Sequence, residues 1–289
     1  MGTLVWLASY PKSGNTWVRS FLHNLVRDAD TPADINTLDE FCLGGSSRRW
    51  FELVSQVPLE TLEPAELAKL RPLAQARMAA SVRNSIFVKS HNYYGPWFDV
   101  PLHNAAVAAG AVYILRNPLD VAPSLAHHYG ESLEWAIDLM AKPGAGTRLS
   151  VRHVPEVYDT WSNHVLSWTA KANPKLLVLR YEDLLIKPAE SFGTLARFLG
   201  LAAGEEKLAR AIRHSSFEVL KSQEAERGFR ERPANAKSFF REGRAEQWRD
   251  VLTPDQVRRI VADHHVQMAR FDYIPEDYRD GVSTDKRDG

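Results

Sequence analysis

The chain has 289 residues, 44% hydrophobic and 25% charged, an ordinary globular composition long enough for one large core. Its 36 Lys and Arg balance 36 Asp and Glu, so no global field draws it to nucleic acid or to an anionic membrane. A single cysteine, Cys42, excludes an internal disulfide, and no run nears the roughly 20 apolar residues of a membrane span. Met1 to Ser9 is too short for a secretion leader, so a cytoplasmic protein is expected, with Cys42 a buried or loop thiol.

Residues 3–8 (Thr-Leu-Val-Trp-Leu-Ala) read as a strand buried on both faces and ended by Ser9, Tyr10 and Pro11. After Lys12–Thr16 a helical pattern begins. Trp17, Val18, Phe21, Leu22, Leu25 and Val26 mark one face; Arg19, Ser20, His23, Asn24 and Arg27 take the other. Strands are predicted over 86–89, 111–115 and 176–179, and helices over 64–80, 156–170, 189–199 and 205–214. A last helix starts at Thr253, with Pro254 in its first turn and Gln256 completing a capping box. The segments 30–60, 92–106, 141–154 and 221–238 read as irregular, and as lids or acceptor loops. Strands alternating with helices predict an α/β fold: one domain over 1–280, a central parallel sheet flanked by helices, and a frayed tail at 281–289.

Three short stretches carry chemistry. Tyr10-Pro11-Lys12-Ser13-Gly14-Asn15-Thr16-Trp17 joins a strand end to a helix start, where unpaired N–H groups and the helix dipole favour an anion. It is P-loop-like, although its lysine precedes the glycine instead of following it. Arg116 ends another predicted strand, with Asn117 to cap and Pro118 at the first helical position, which builds a second anion site. Phe87-Val88-Lys89-Ser90-His91 ends a third strand in a histidine, the side chain suited to removing a proton near neutrality. The other histidines show no metal-binding spacing, and no metal is expected.

These residues resemble the sulfotransferase family, whose donor loop reads Tyr-Pro-Lys-Ser-Gly-x-Thr-Trp. The resemblance implies 3′-phosphoadenosine-5′-phosphosulfate (PAPS) as cosubstrate, with Lys12, Ser13, Gly14, Asn15 and Thr16 at its 5′ side. It places Arg116 and Ser124, from Arg-x-x-x-Asp-Val-x-x-Ser, at the 3′-phosphate. Pro123 should kink that helix and disturb the reach of Ser124. The family's Lys-x-His maps onto Lys89 and His91, implying His91 as base with Lys12 and Lys89 beside the transferring group. Tyr181 (Arg180-Tyr181-Glu182-Asp183), Ser215 and Phe217 (His214-Ser215-Ser216-Phe217) fall on further nucleotide segments, with Trp17 and Phe217 sandwiching the adenine.

Phe239-Phe240-Arg241-Glu242-Gly243 resembles the family's Arg-Lys-Gly loop over the 3′-phosphate. Arg241 and Gly243 carry over, whereas Glu242 replaces the lysine and is expected to face solvent or be neutralised by Lys237 and Arg244. Pro254 interrupts the family's dimerisation motif, so the oligomeric state is open. The expected acceptor is a small molecule bearing a hydroxyl or amine. Trp50, Phe51, Tyr93, Tyr94, Trp97, Phe98, Tyr129 and Trp135 suggest that it is aromatic or otherwise apolar. A nucleotide-dependent kinase and a non-catalytic module that binds the nucleotide are the competing readings.

Overall fold

In the computed structural model, which describes residues 2–201, 203–233 and 236–279, five parallel strands form the central sheet. They are β1 (Thr3–Ser9), β2 (Cys42–Gly44), β3 (Ser85–Ser90), β6 (Ala108–Leu115) and β7 (Leu176–Arg180), with a two-stranded hairpin of β4 (Pro96–Trp97) and β5 (Val100–Pro101) apart from them. The order is β2-β3-β1-β6-β7. The chain therefore builds outward from β1 in one direction, then returns to its other side with β6. In parallel sheets a ligand crevice forms where the strand order reverses in this way, outside the carboxyl ends. Ala8 pairs with Ser90 and Ser9 with Ile114, which brings the ends of β1, β3 and β6 side by side on one edge.

Period-two alternation sends neighbouring side chains to opposite faces. Leu4, Trp6, Val88 and Tyr113 enter one core with the helices Pro64–Ala80, Pro118–Tyr129, Trp161–Thr169 and Pro254–Arg270. Leu7, Val112, Ile114 and Leu179 enter a second with Asn15–Arg27, Pro188–Phe198 and Glu205–His214. In that second core Phe21 is fully buried and stacks on Phe192 at 4.1 Å. The expected three-layer α/β architecture is what the residues form.

The helix expected over 64–80 forms as Pro64–Ala80, started by a capping box in which Glu63 accepts from the N3 backbone while Glu66 reaches back. Several other local expectations are corrected. The helix expected over 156–170 begins only at Trp161, because Asp159 sits at φ 58° and Thr160 caps from extended backbone. Part of 221–238 is helical, as the end of Phe217–Arg227, and 30–60 contains β2 together with short helices. Pro123 does not end its helix, which runs unbroken from Pro118 to Tyr129. The supposed polar face of Asn15–Arg27 is largely internal: Arg19, Ser20 and Asn24 are buried. The tail at 281–289 lies outside the described residues. Among them, no helix is long and apolar enough to cross a membrane.

Candidate active site

The strand tips open into a cavity of about 1160 Å³, lined by residues of β2 and β3 and by the segments that follow β1, β2, β3 and β6. Its first wall is the turn after β1. Lys12 takes a left-handed backbone (φ 67°), a conformation that side-chain-bearing residues rarely adopt and one that clusters at functional sites. Gly14, at φ 100°, caps the following helix; a Cβ there would lie 2.7 Å from the Tyr181 ring, so no larger residue fits. Ser13 Oγ is buried with no hydrogen-bond partner. A donor left unpaired beside a helix N-terminus is the signature of a place that receives an anion.

The second wall is built by β6 and its helix. Arg116 is 6% exposed, donates to the Lys12 carbonyl at 2.9 Å and lies 4.2 Å over the Tyr181 ring, while its Nε has no partner. Asn117 caps the helix through Leu119 N, and Ser124 reaches the same cavity despite Pro123. Thus the two anion-binding motifs are tied together directly and face one space. Asp120, buried in this helix, accepts from Glu246 N (2.7 Å) and Trp248 N (3.1 Å). Glu224 accepts from Phe239 N (2.7 Å) and Phe240 N (2.9 Å). These carboxylates hold the loop bearing Arg241 and Gly243 against the cavity.

Trp17, Tyr181, Phe217, Arg241 and Gly243 all line that cavity. Trp17 packs edge-on against Tyr181 and Phe192, and Gly243, at φ 67°, lets the loop lie on the Phe217 ring, where a Cβ would come within 2.3 Å. Arg241 donates to Gln247 Oε1. Glu242 is exposed, lies on the cavity lining and is paired with Arg244. Three expected contributors are placed differently. Ser13, 1% exposed, does not line the cavity. The Ser215 hydroxyl donates to the Ala211 and Ile212 carbonyls inside its own helix end, and the residue does not line the cavity. The Asn15 amide turns inward to the Leu7 carbonyl (2.8 Å), so only the residue's backbone edge remains for the cavity.

His91 follows β3 and lines the cavity next to both walls. Its Nδ1 is 2.9 Å from the Ser9 carbonyl; a carbonyl only accepts, so Nδ1 carries the proton and Nε2 holds the lone pair. Burial, then the neighbouring Lys89, push the ring's pKa well below the ordinary histidine value, which keeps it neutral. Its backbone is fixed in turn: Tyr113 OH donates to His164 Nδ1 (2.9 Å), and His164 Nε2–H donates to the His91 carbonyl (3.2 Å). Lys12 Nζ lies 3.2 Å from His128 Nδ1 and 4.1 Å above the Phe239 ring. Desolvation, then Arg116 and Lys89, lower its pKa to about 7.

Sequence reasoning missed Glu231. Its two oxygens accept from Arg19 Nη1 and Nη2 at 2.8 and 2.7 Å, and Lys89 Nζ lies 3.4 Å away. Arg19, itself 1% exposed, also donates to Thr16 Oγ1 at 3.2 Å. Arg19 and Lys89 hold this carboxylate well below its ordinary range against the opposing effect of burial. One ionic cluster thus joins the donor-loop helix, β3 and the segment after Phe217–Arg227. Nothing local marked Arg19, which the sequence placed on the polar face of its helix. Of the eight aromatics suggested for the acceptor, only Tyr129 lines the cavity; Trp50 and Phe51 are core residues. Cys42 is a buried thiol whose pKa burial pushes up to about 12.

Against known proteins, residues 3–272 match the model of the sulfotransferase domain. The dog sulfotransferase 1B1 is 28% identical over 91% of this chain and 82% of its own length. The flavonol 3-sulfotransferase of Flaveria bidentis is 26% identical over 89% and 78%. Among solved structures, a retinol dehydratase in complex with androsterone and inactive cofactor PAP aligns with a TM-score of 0.65 at 22% identity, over 92% of this chain and 80% of that one. Mouse sulfotransferase SULT7A1 complexed with PAP aligns with a TM-score of 0.59 at 23% identity, over 93% and 86%. The chain belongs to the sulfotransferase domain family and is a PAPS-dependent sulfotransferase.

Proposed function

We propose that this enzyme sulfates a hydroxyl or amine of a small acceptor with His91 as general base, within one catalytic domain spanning 1–280 in the cytoplasm. One observation carries the reading. The two anion-binding walls, on adjacent strand tips and bonded to each other through Arg116 and the Lys12 carbonyl, share a cavity with a histidine that is neutral and has Nε2 unprotonated. The orphaned Ser13 hydroxyl and Arg116 Nε, and the space kept clear by Gly14, fit a phosphorylated nucleotide.

The Lys12–Thr16 turn would hold the 5′ side of the donor, and Arg116, Ser124 and Arg241 its 3′-phosphate. Gly243 keeps the loop flat on Phe217, with Trp17 and Tyr181 completing the base pocket. When bound, the donor supplies an activated sulfuryl group and departs as PAP. His91 takes the acceptor proton on Nε2, and the Nδ1–H bond to Ser9 supports the imidazolium that results. Lys12 and Lys89 stabilise the charge that grows on the leaving oxygen, so cationic side chains serve where phosphoryl transfer employs Mg²⁺. Lys89 keeps its place because Glu231 anchors it.

Thermal-shift titration with PAP, followed by transfer from labelled PAPS to a phenol and amine panel, tests this reading. Stabilisation by PAP and label transfer are expected. Stabilisation by ATP with Mg²⁺ and none by PAP would favour the kinase alternative instead, and PAP binding without transfer to any acceptor would leave a binding module.

A further inference from the structure

The chain as a whole is neutral, yet the cavity lining carries eleven Lys and Arg against five Asp and Glu. The donor brings roughly four negative charges, from its phosphosulfate and 3′-phosphate. The side chains assigned to it come from β1, β6 and the 241–243 loop, on one side of His91. The rest of the cavity lies on the other side of β3, toward β2.

Topology fixes what builds that second half. Gly45 N donates to the Lys89 carbonyl (2.9 Å), so the turn after β2 sits beside the end of β3. Ser47 bridges His153, and Arg48 N donates to the Arg152 carbonyl (2.9 Å), which lays the segment 146–157 along that turn. Arg152 Nη1 in turn touches the Arg230 carbonyl at 3.5 Å. Arg49, Arg148, Arg152 and Arg230 are exposed at the rim, and among the described residues none has a carboxylate within 4.0 Å. Among the described residues Arg148 makes no hydrogen bond or ion pair. The acids of this half, Asp39, Glu52 and Glu156, are fewer, and Glu52 is already paired with Arg48 at 2.6 Å.

Guanidinium groups gathered from separate segments at one cavity suit an oxyanion. Among the described residues Arg148 has no internal partner and Arg152 reaches only the Arg230 carbonyl, while Arg230 donates to the Asn36 carbonyl (3.2 Å) and Arg49 lies over the Trp50 ring. We propose that the acceptor carries an anionic group, a carboxylate or phosphate, which Arg148 and Arg152 bind while its hydroxyl or amine faces His91. This rests on the sulfotransfer reading above and deepens it by naming the acceptor class. It differs from the aromatic or apolar acceptor suggested by the eight rings, of which only Tyr129 lines the cavity. Rim cations act through solvent, so the preference for an acid over its uncharged analogue should be on the order of tenfold in affinity, and salt should erode it.

The test uses the full chain saturated with PAP, titrated by calorimetry with a series of hydroxybenzoic and hydroxyphenylalkanoic acids and with the matching carboxamides. Turnover of the same pairs with PAPS is followed in parallel. The proposal expects the acids to bind and react about tenfold better than their amides at low salt, with the ratio shrinking at 0.5 M NaCl. In the double variant Arg148→Gln/Arg152→Gln the ratio should fall toward one while PAP affinity, which also reports folding, is retained. Acids no better than amides, including the case where neither binds, overturn the proposal, as does a ratio that survives in the variant. Failure of PAP to bind counts against the sulfotransfer reading instead.

Discussion

At the donor end of the cavity Arg19 and Arg116 are 1% and 6% exposed and are each held by named oxygens, whereas at the far end Arg148 and Arg152 stand exposed on a loop. A buried guanidinium cannot be left without compensation, so the fold supplies Glu231 to one and backbone carbonyls and an aromatic face to the other. An exposed one stays hydrated and needs no internal partner. The end that carries Arg19 and Arg116 is therefore part of the architecture, whereas the rim arginines are not held by it in the same way.

Four experiments would break or sharpen that contrast. His91, between the two ends, should matter most: His91→Ala is expected to lower kcat roughly 10²–10⁴-fold, with PAP affinity close to wild type. Retained turnover would remove the residue from the mechanism. Next comes Glu231→Ala, which strands Arg19 as a buried cation and should cost about 3 kcal/mol in urea unfolding. A loss below 1 kcal/mol would mean that the cluster is not structural.

Lys12→Ala should weaken PAP binding by about 2 kcal/mol, near thirtyfold, the size of a charge-assisted contact. A pH series refines this. Burial lowers the Lys12 pKa to about 7 in the free protein. An anion favours the protonated amine, so wild-type affinity for PAP should decline as pH rises above 7, and the decline should flatten in the variant. The smallest effect belongs to the rim: Arg148→Gln should shift stability by no more than about 0.5 kcal/mol. A larger loss would show that the exposed arginines are structural after all.

The donor end was legible in sequence because its parts are contiguous. A strand, a left-handed turn with glycine and a helix start are local matters, and Thr3 to Trp17 hold all three. The sheet was legible where apolar runs were long; β2, with only three residues, left too short a run to separate from a loop. Ser215 was misplaced because a hydroxyl after a helix has two fates, a ligand or the preceding carbonyls, and neighbours in space decide between them. Glu231 was invisible for a related reason. Its partner Arg19 lies 212 positions away, and nothing local separates that glutamate from a solvated one. Which aromatic residues reach the cavity was not legible either, because ring count does not tell core from cavity: Trp50 is core and Tyr129 lines the cavity.

The bond between residues 19 and 231 also limits how this enzyme can be re-engineered. Transplanting a substrate loop from a relative into the stretch beginning near 228 would import a different residue opposite a guanidinium that has no other carboxylate within 4.0 Å among the described residues. Such a chimera should carry position 19 along with the loop, or keep the glutamate as a fixed scar in every library. Exchanging both together would also have to replace the Arg19 contact to Thr16 and the Glu231 contact to Lys89.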